Sequence, residues 1–469
     1  SAVAFYFART LRPEIGVPIG IINTTWGGSR IEPWMHAEAL GLTGAQREAL
    51  RAEERASEQR LLDNLRDRIG GLPDTDEGLV DGIPHWAHPD LEDADWSLIA
   101  VPAPWEAAGY EALDGIAWYR REVVLTPEQA AAGITLGLGK IDDSDLSFVN
   151  SHEIGQMTNA WTRARVYPVP ARVLRPGRNV IAVRVEDTGG GGGMAGEPGE
   201  MFIAYADGSR ESLAGDWRFR VSKVSVSFDG TKNQSPMQLY NAMIHPLLPF
   251  PVRGVLWYQG ESNAYFGGAE AYREQFATMI TDWRRRWGLG ELPFLFVQLA
   301  AFHPAQSEPS ESAWAVLRES QAAALALPNT GQAIAIDLGD ADDIHPRNKQ
   351  DVGLRLALAA RHVVYGHPVV HSGPVYRSHE IDGHRVRLAF DHVGSGLDVR
   401  GASPEGFALA GADGRFAWAQ ARVEGNDIVL WNDAIPHPVF VRYAWADNPA
   451  RANVFNREGL PLAPFRTSR

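Results

Sequence analysis

The chain has 469 residues, of which 45% are hydrophobic and 22% charged, with a formal net charge of −14 and no cysteine. That length predicts two or three domains, and the acidic balance argues against nucleic acid or an anionic membrane as partner. The lack of cysteine excludes disulfides, Cys-ligated metals and thiol nucleophiles, and no apolar run reaches the roughly 20 residues that span a bilayer.

Ser1 leads straight into an amphipathic helical pattern from Ala2 to Ala8, with no strand before it, which reads as a chain cut from something longer. Val17 to Asn23 is a short apolar run suited to a buried parallel strand, ending in the turn Trp26-Gly27-Gly28. Residues 44–70 are charged and rich in Ala, Leu and Arg, which predicts a long exposed helix. Residues 71–95 then collect Pro, Gly and Asp, as a boundary does. From about 95 to 220, runs such as Trp118 to Leu125 and Asn179 to Val185 cluster β-branched residues between Gly and Pro-Gly turns, the signature of a β-sandwich. Near 235 an alternation of strand and helix returns. Strands are expected at 254–258, 293–299 and 332–337, and helices at 270–287, 312–326 and 346–364. The strand at 17–23 belongs with this parallel sheet, so the β-sandwich is an insertion. The expected domains are 1–75 and 229–368 for the α/β part, 76–228 for the β-sandwich, and 369–469 for a terminal β region.

Three segments that each follow an expected strand carry chemistry, and open α/β sheets place their sites at that carboxyl edge. Asp342-Asp343-Ile344-His345-Pro346 sets an aspartate three residues before a histidine, with Pro346 in the first turn of a helix and His345 near its N-cap. Such an aspartate can hold one imidazole nitrogen while the other deprotonates a serine. The plainer reading is a capping Asp beside a surface His. In Trp257-Tyr258-Gln259-Gly260-Glu261-Ser262-Asn263, Gln259 or Asn263 could donate to an oxyanion and Glu261 could orient a base or hold the loop. An ordinary capped turn is the alternative, and Ser262 lacks the Gly-x-Ser-x-Gly elbow of a nucleophile. In Thr25 to Trp34, the paired Gly27 and Gly28 can turn backbone N–H groups into a cleft, or simply make a tight turn.

Together, Trp-Gly-Gly-x-x-x-Glu-x-Trp, Trp-Tyr-Gln-Gly-Glu-Ser-Asn and Asp-x-x-His-Pro-x-Asn-Lys resemble the sialate O-acetylesterase-like family of SGNH hydrolases. That family includes esterases acting on acetylated plant polysaccharides such as xyloglucan. Asn241-Ala242-Met243-Ile244-His245-Pro246-Leu247 matches the family's run before the Gln-Gly-Glu strand, and the resemblance covers about 1–40 and 235–365. The insert, with Ile141 to Asp145 and Arg165 to Pro170, is similar to the galactose-binding-like jelly-roll domain of some glycosidases.

The resemblance implies an α/β, flavodoxin-like three-layer sandwich with a parallel sheet, interrupted by the jelly-roll insert and followed by a small β region. It also implies a periplasmic or secreted carbohydrate O-acetylesterase. His345 would be the general base and Asp342 its orienting acid, with Glu261 as the rival acid. Gly27, Gly28 and Gln259 would bind the oxyanion. Trp26, Arg30, Trp257 and Asn263 are candidate contacts to an acetylated carbohydrate. The family's Gly-Gln-Ser-Asn nucleophile segment is missing from this sequence. The expectation is that an N-terminal segment of the same protein supplies the nucleophile serine and the central strand. No metal or organic cofactor is expected, and no nucleic acid or membrane partner. A sialate O-acetylesterase is the alternative within the class. A non-catalytic carbohydrate-binding protein, and an SGNH lipase or thioesterase, are the rivals outside it.

Three further signals point elsewhere. Gly189 to Gly193 lack the Lys-Ser/Thr of a phosphate loop and read as a mobile loop. His85, His88 and Asp90 have no third strong ligand beside the two histidines. Asp142, Asp143 and Asp145 lack the spacing and central glycine of a Ca²⁺ loop.

Overall fold

Phe294-Leu295-Phe296-Val297 is apolar at every position, the pattern of a parallel strand covered on both faces. The computed structural model, which describes residues 1–226 and 234–467, makes it the middle of a three-stranded parallel sheet. The strands are β1 (Val255–Trp257), β2 (Phe294–Val297) and β3 (Thr330–Ala333), in that spatial order. Around them lie α1 (Ala2–Ile15), α2 (Glu261–Tyr265), α3 (Tyr272–Trp287), α4 (Ala313–Ala322) and α5 (Lys349–Val363).

Side chains alternate across the sheet. Leu295 and Val297 share a core with Val3 and Leu11 of α1 and Leu356 and Ala359 of α5. Phe294 and Phe296 share another with Phe276 and Trp283 of α3 and Trp314 and Leu317 of α4. In α3 the buried residues Tyr272, Phe276, Met279, Ile280, Trp283 and Trp287 recur every three or four positions, which is why this segment is a helix and which face it buries. Each such side chain contributes about 1.5–3 kcal/mol on burial.

The expected strand at 17–23 did not form. The segment has no regular structure, and Val17, Ile21 and Ile22 are exposed. A β-strand exists through its ladder, and among the described residues nothing pairs with this one. β1 pairs with β2 on one side, and among the described residues no strand pairs with its other side. The helix expected from 346 begins at Lys349, because Asn348 is its N-cap and accepts the Asp351 N–H at 3.0 Å. His345 and Pro346 therefore lie in the loop before it.

The chain divides into two units, residues 1–43 with 232–469, and residues 44–231. The second holds a six-stranded and a five-stranded sheet, their strands antiparallel, around a common core that includes Trp105, Tyr119, Ile181, Ile203 and Trp217. In its strand Ala164–Val169 every second residue points inward, among them Arg165, whose buried guanidinium pairs with Asp145 at 2.8 Å. The boundary expected at 75/76 falls at 43/44. The helix Gly44–Ile69 belongs to the β unit because Leu65 enters its core and Arg68 lies over the Tyr110 ring at 5.4 Å. The boundary expected at 228/229 lies outside the described residues.

The terminal region after 369 forms short antiparallel sheets whose core also takes in Ile334 and Ile336, just beyond β3. It shares a unit with the parallel sheet rather than standing apart.

Candidate active site

The chain leaves β1 at Trp257 and turns at Gly260, whose φ of +152° and close approach to Leu317 exclude a side chain. This turn brings the 259–263 loop against the 26–32 loop, and four hydrogen bonds join them. Gln259 Nε2 donates to Ser29 O at 2.9 Å, and Ser262 Oγ donates to Gly28 O at 2.8 Å. The Ile31 N–H donates to Asn263 Oδ1 at 2.9 Å, while Asn263 Nδ2 reaches Glu32 Oε2 at 3.2 Å.

These bonds reassign several residues. Both Gln259 amide hydrogens are used, one on Ser29 O and one on Asn263 Oδ1, and its Oε1 accepts from Tyr272 Oη at 2.9 Å. Gln259 therefore braces the loop and has no donor left for an oxyanion. Asn263 is fully buried and clamps the other loop, so it is not placed to touch a substrate. Trp257 is also core: its Nε1 donates to Tyr272 Oη at 3.0 Å, and its ring meets Trp34 edge-on at 5.8 Å. Gly27, Gly28 and Trp26 remain on an exposed turn, and Arg30 is half-buried, 3.7 Å from Glu32.

Replacing Asn263 by alanine should cost about 3 kcal/mol, because Ile31 N–H and Gln259 Nε2 lose their acceptor inside the protein. A denaturant midpoint unchanged from the parent would show that the clamp carries no stability.

The third segment reaches the same place through charge. Glu261 opens α2 and is partly buried. Burial raises its pKa, opposed by the nearby charges of His345 and Lys349. Lys349 is lowered by burial, against the pull of Glu261 and Asp343, and its Nζ sits 5.8 Å from the Tyr258 ring. His345 itself is exposed, with 85% of its side chain open to solvent.

The acid within ion-pair distance of His345 is Asp343, not Asp342: Nδ1 lies 3.6 Å from Asp343 Oδ1. The reason is local. Asp343 Oδ1 accepts the His345 N–H at 2.8 Å, and Asp340 Oδ1 accepts the Asp342 N–H at 3.0 Å. Two successive side-chain turns curl the chain so that the nearer acid faces the imidazole. Among the described residues no hydrogen bond or ion pair joins Asp342 to His345. Asp343 and Lys349 were both within the quoted motif; only the position of the turn hid them.

An exposed imidazole beside carboxylates, on loops that follow parallel strands, is equipped to move a proton to and from a bound ester. Residues 220–362 match the model of the family described as carbohydrate esterase, sialic acid-specific acetylesterase. The chain is 34% identical to the sialate O-acetylesterase of Mus musculus over 256 residues, 48% of this chain and 46% of that one. Against the sialate O-acetylesterase of Homo sapiens it is 32% identical over 269 residues, 51% of each. The chain thus spans about half the length of the curated relatives it matches. A solved carbohydrate acetylesterase from Xanthomonas citri is 34% identical, with 74% of this chain and 100% of that one covered and a TM-score of 0.49. These relatives are carboxylic ester hydrolases directed at carbohydrates, and residues 220–362 are the part of this chain that matches the sialic acid-specific acetylesterase family.

Proposed function

We propose that the chain carries the general base and framework of a carbohydrate O-acetylesterase whose serine nucleophile comes on a further strand of the same protein. The observation that carries this reading is His345, an exposed imidazole beside Asp343 and within the field of Glu261. The sheet is then an SGNH-type, flavodoxin-like three-layer sandwich, with the added strand between β1 and residues 17–23. Support for that comes from the unpaired side of β1 and the exposed Val17, Ile21 and Ile22.

In the reaction, the serine oxygen attacks the acetyl carbonyl carbon while His345 takes its proton. The tetrahedral intermediate then expels the sugar oxygen, which recovers that proton from His345. Water, deprotonated by His345, attacks the acetyl-serine and releases acetate. The favoured substrate is an acetylated plant hemicellulose such as xyloglucan, and the expected location is periplasmic or secreted. O-acetylated sialic acid is the second reading, favoured by the names of the curated relatives. Acetate release by the complete gene product, compared between the two substrates, separates the readings by which one is turned over faster, and release from neither would overturn the proposal.

Glu261→Gln should lower turnover by on the order of 10²-fold. Asp343→Asn should show a smaller loss, and Asp342→Asn almost none. A severe Asp342→Asn with a silent Glu261→Gln would restore Asp342 as the orienting acid.

A further inference from the structure

The β unit holds a group of acids that sequence spacing does not reveal. Asp142 ends the strand Ile134–Asp142 and Asp143 follows it, while Asp187 ends the strand Gly177–Asp187 far along the chain. One carboxylate oxygen from each of the three lies within 4.8 Å of the other two. Asp145, the third acid of the local run, turns away to pair with Arg165.

Asp187 supplies the observation that goes beyond proximity. It is 1% exposed, and its Oδ1 accepts the Gly189 N–H at 3.0 Å. Its Oδ2 is buried and makes no hydrogen bond. A buried carboxylate oxygen without a donor costs several kcal/mol unless a cation meets it or the carboxyl takes up a proton, and burial raises the Asp187 pKa accordingly. Protein cations are committed elsewhere: Arg165 to Asp145, and Arg184 to Asp76 and Glu186. Among the described residues no ion pair reaches Asp142, Asp143 or Asp187. Asp143 Oδ2 accepts both the N–H and O–H of Thr188, and the Asp143 carboxylate also takes a hydrogen bond from the neighbouring Asp142 carboxyl, a proton that a bound cation would displace.

The five-glycine segment closes over this group. Gly193 lies opposite Asp142 in the strand pair, and the Gly192 backbone packs against Trp105 and Asp187. A Cβ at Gly192 would stand 2.1 Å from the Trp105 ring and 2.7 Å from Asp187 Oδ2. The run of glycine is therefore a close-approach requirement at this position, with Glu106 accepting the Gly192 N–H at 3.2 Å.

We propose that Asp142, Asp143 and Asp187 hold a calcium ion in the β unit. The donor set is all carboxylate oxygen, with neither histidine nor cysteine, which suits a hard cation rather than zinc. Oxygens this far apart reach one ion at the 2.3–2.6 Å of Ca²⁺, whereas Mg²⁺ demands about 2.0–2.1 Å in near-ideal octahedral geometry. The site lies within the β unit and ties the ends of two strands to the glycine loop.

Calorimetric titration of the chelator-treated full chain with CaCl₂ tests this directly. Uptake of a single ion is expected, together with a rise of several degrees in the unfolding temperature. Asp187→Asn should abolish both effects. Asp207→Asn, at an exposed turn of the same unit, should leave them intact. Should Asp187→Asn fail to fold, Asp142→Asn should weaken calcium binding about tenfold or more. No heat and no thermal shift at about 10 mM calcium, above the range of weak extracellular sites, would overturn the proposal. Equal binding by Asp142→Asn and the parent would also overturn it, as would full displacement by an equal concentration of magnesium.

Discussion

Replacing His345 by alanine, in the protein carrying its serine nucleophile, should lower turnover of an aryl acetate by about 10³-fold or more. The size follows from the role. A serine hydroxyl is a weak nucleophile until a base removes its proton, and the same base must later protonate the leaving oxygen and activate water. Exposure makes the experiment clean. With 85% of its side chain in solvent, His345 contributes little packing, so its removal should leave the unfolding temperature almost unchanged. The loss should therefore appear in turnover, with the Michaelis constant nearly constant, because the imidazole acts on the reacting atoms rather than on the bound sugar. Activity within tenfold of the parent would remove His345 from the mechanism. An equal loss of stability and activity would make it a structural residue.

What the sequence revealed depended on whether the signal was local. The strands β1 and β2 and the helices α3, α4 and α5 follow from hydrophobic period, because burial on one or both faces writes itself into consecutive residues, whereas β3, expected at 332–337, forms earlier at Thr330–Ala333, where the run is not apolar. The strand at 17–23 had the right residues, but a strand needs a neighbour, and the pattern of Val17 to Ile22 carries no record of one. Helix Gly44–Ile69 gave no hint of its unit, since a single fully buried residue, Leu65, decides it. At the site, polar residues after β1 marked out the loop that packs against residues 26–32. Which of them face solvent was not legible. Gln259 and Asn263 look like oxyanion and substrate ligands until Ser29 O and Ile31 N are seen to consume them. Asp187 was invisible for the same reason: its partners Asp142 and Asp143 sit on another strand.

The largest expected effect on stability comes from Arg318, which no motif marks. It lies on α4, fully buried, and donates to four main-chain carbonyls: Leu299 at 2.8 Å, Ala300 at 2.8 Å, Ala446 at 2.6 Å and Asp447 at 2.9 Å. The first two follow β2, and the last two belong to the terminal β region, so one guanidinium joins both parts of the unit. Burial lowers its pKa, with the Asp447 carboxylate opposing. Arg318→Met should keep most of the packing volume while leaving all four carbonyls without this donor. Unsatisfied buried acceptors cost roughly 1–3 kcal/mol each before relaxation, so a net loss of about 3–5 kcal/mol is expected from chemical denaturation. Arg318→Lys separates charge from geometry. An ammonium keeps the charge but cannot present the guanidinium's fork to four oxygens, so it should recover only part of the loss. The site should suffer too, because α4 also carries Gln321, whose Nε2 donates to Gln259 O at 3.0 Å. Arg318→Met should therefore reduce esterase activity at temperatures where the chain is still folded, by loosening the loop that holds Glu261. A destabilisation below about 1 kcal/mol would mean that the carbonyls find other partners and that the two parts of the unit are held by their other contacts, such as Arg466 with Glu319 and Ser312 with Asp447.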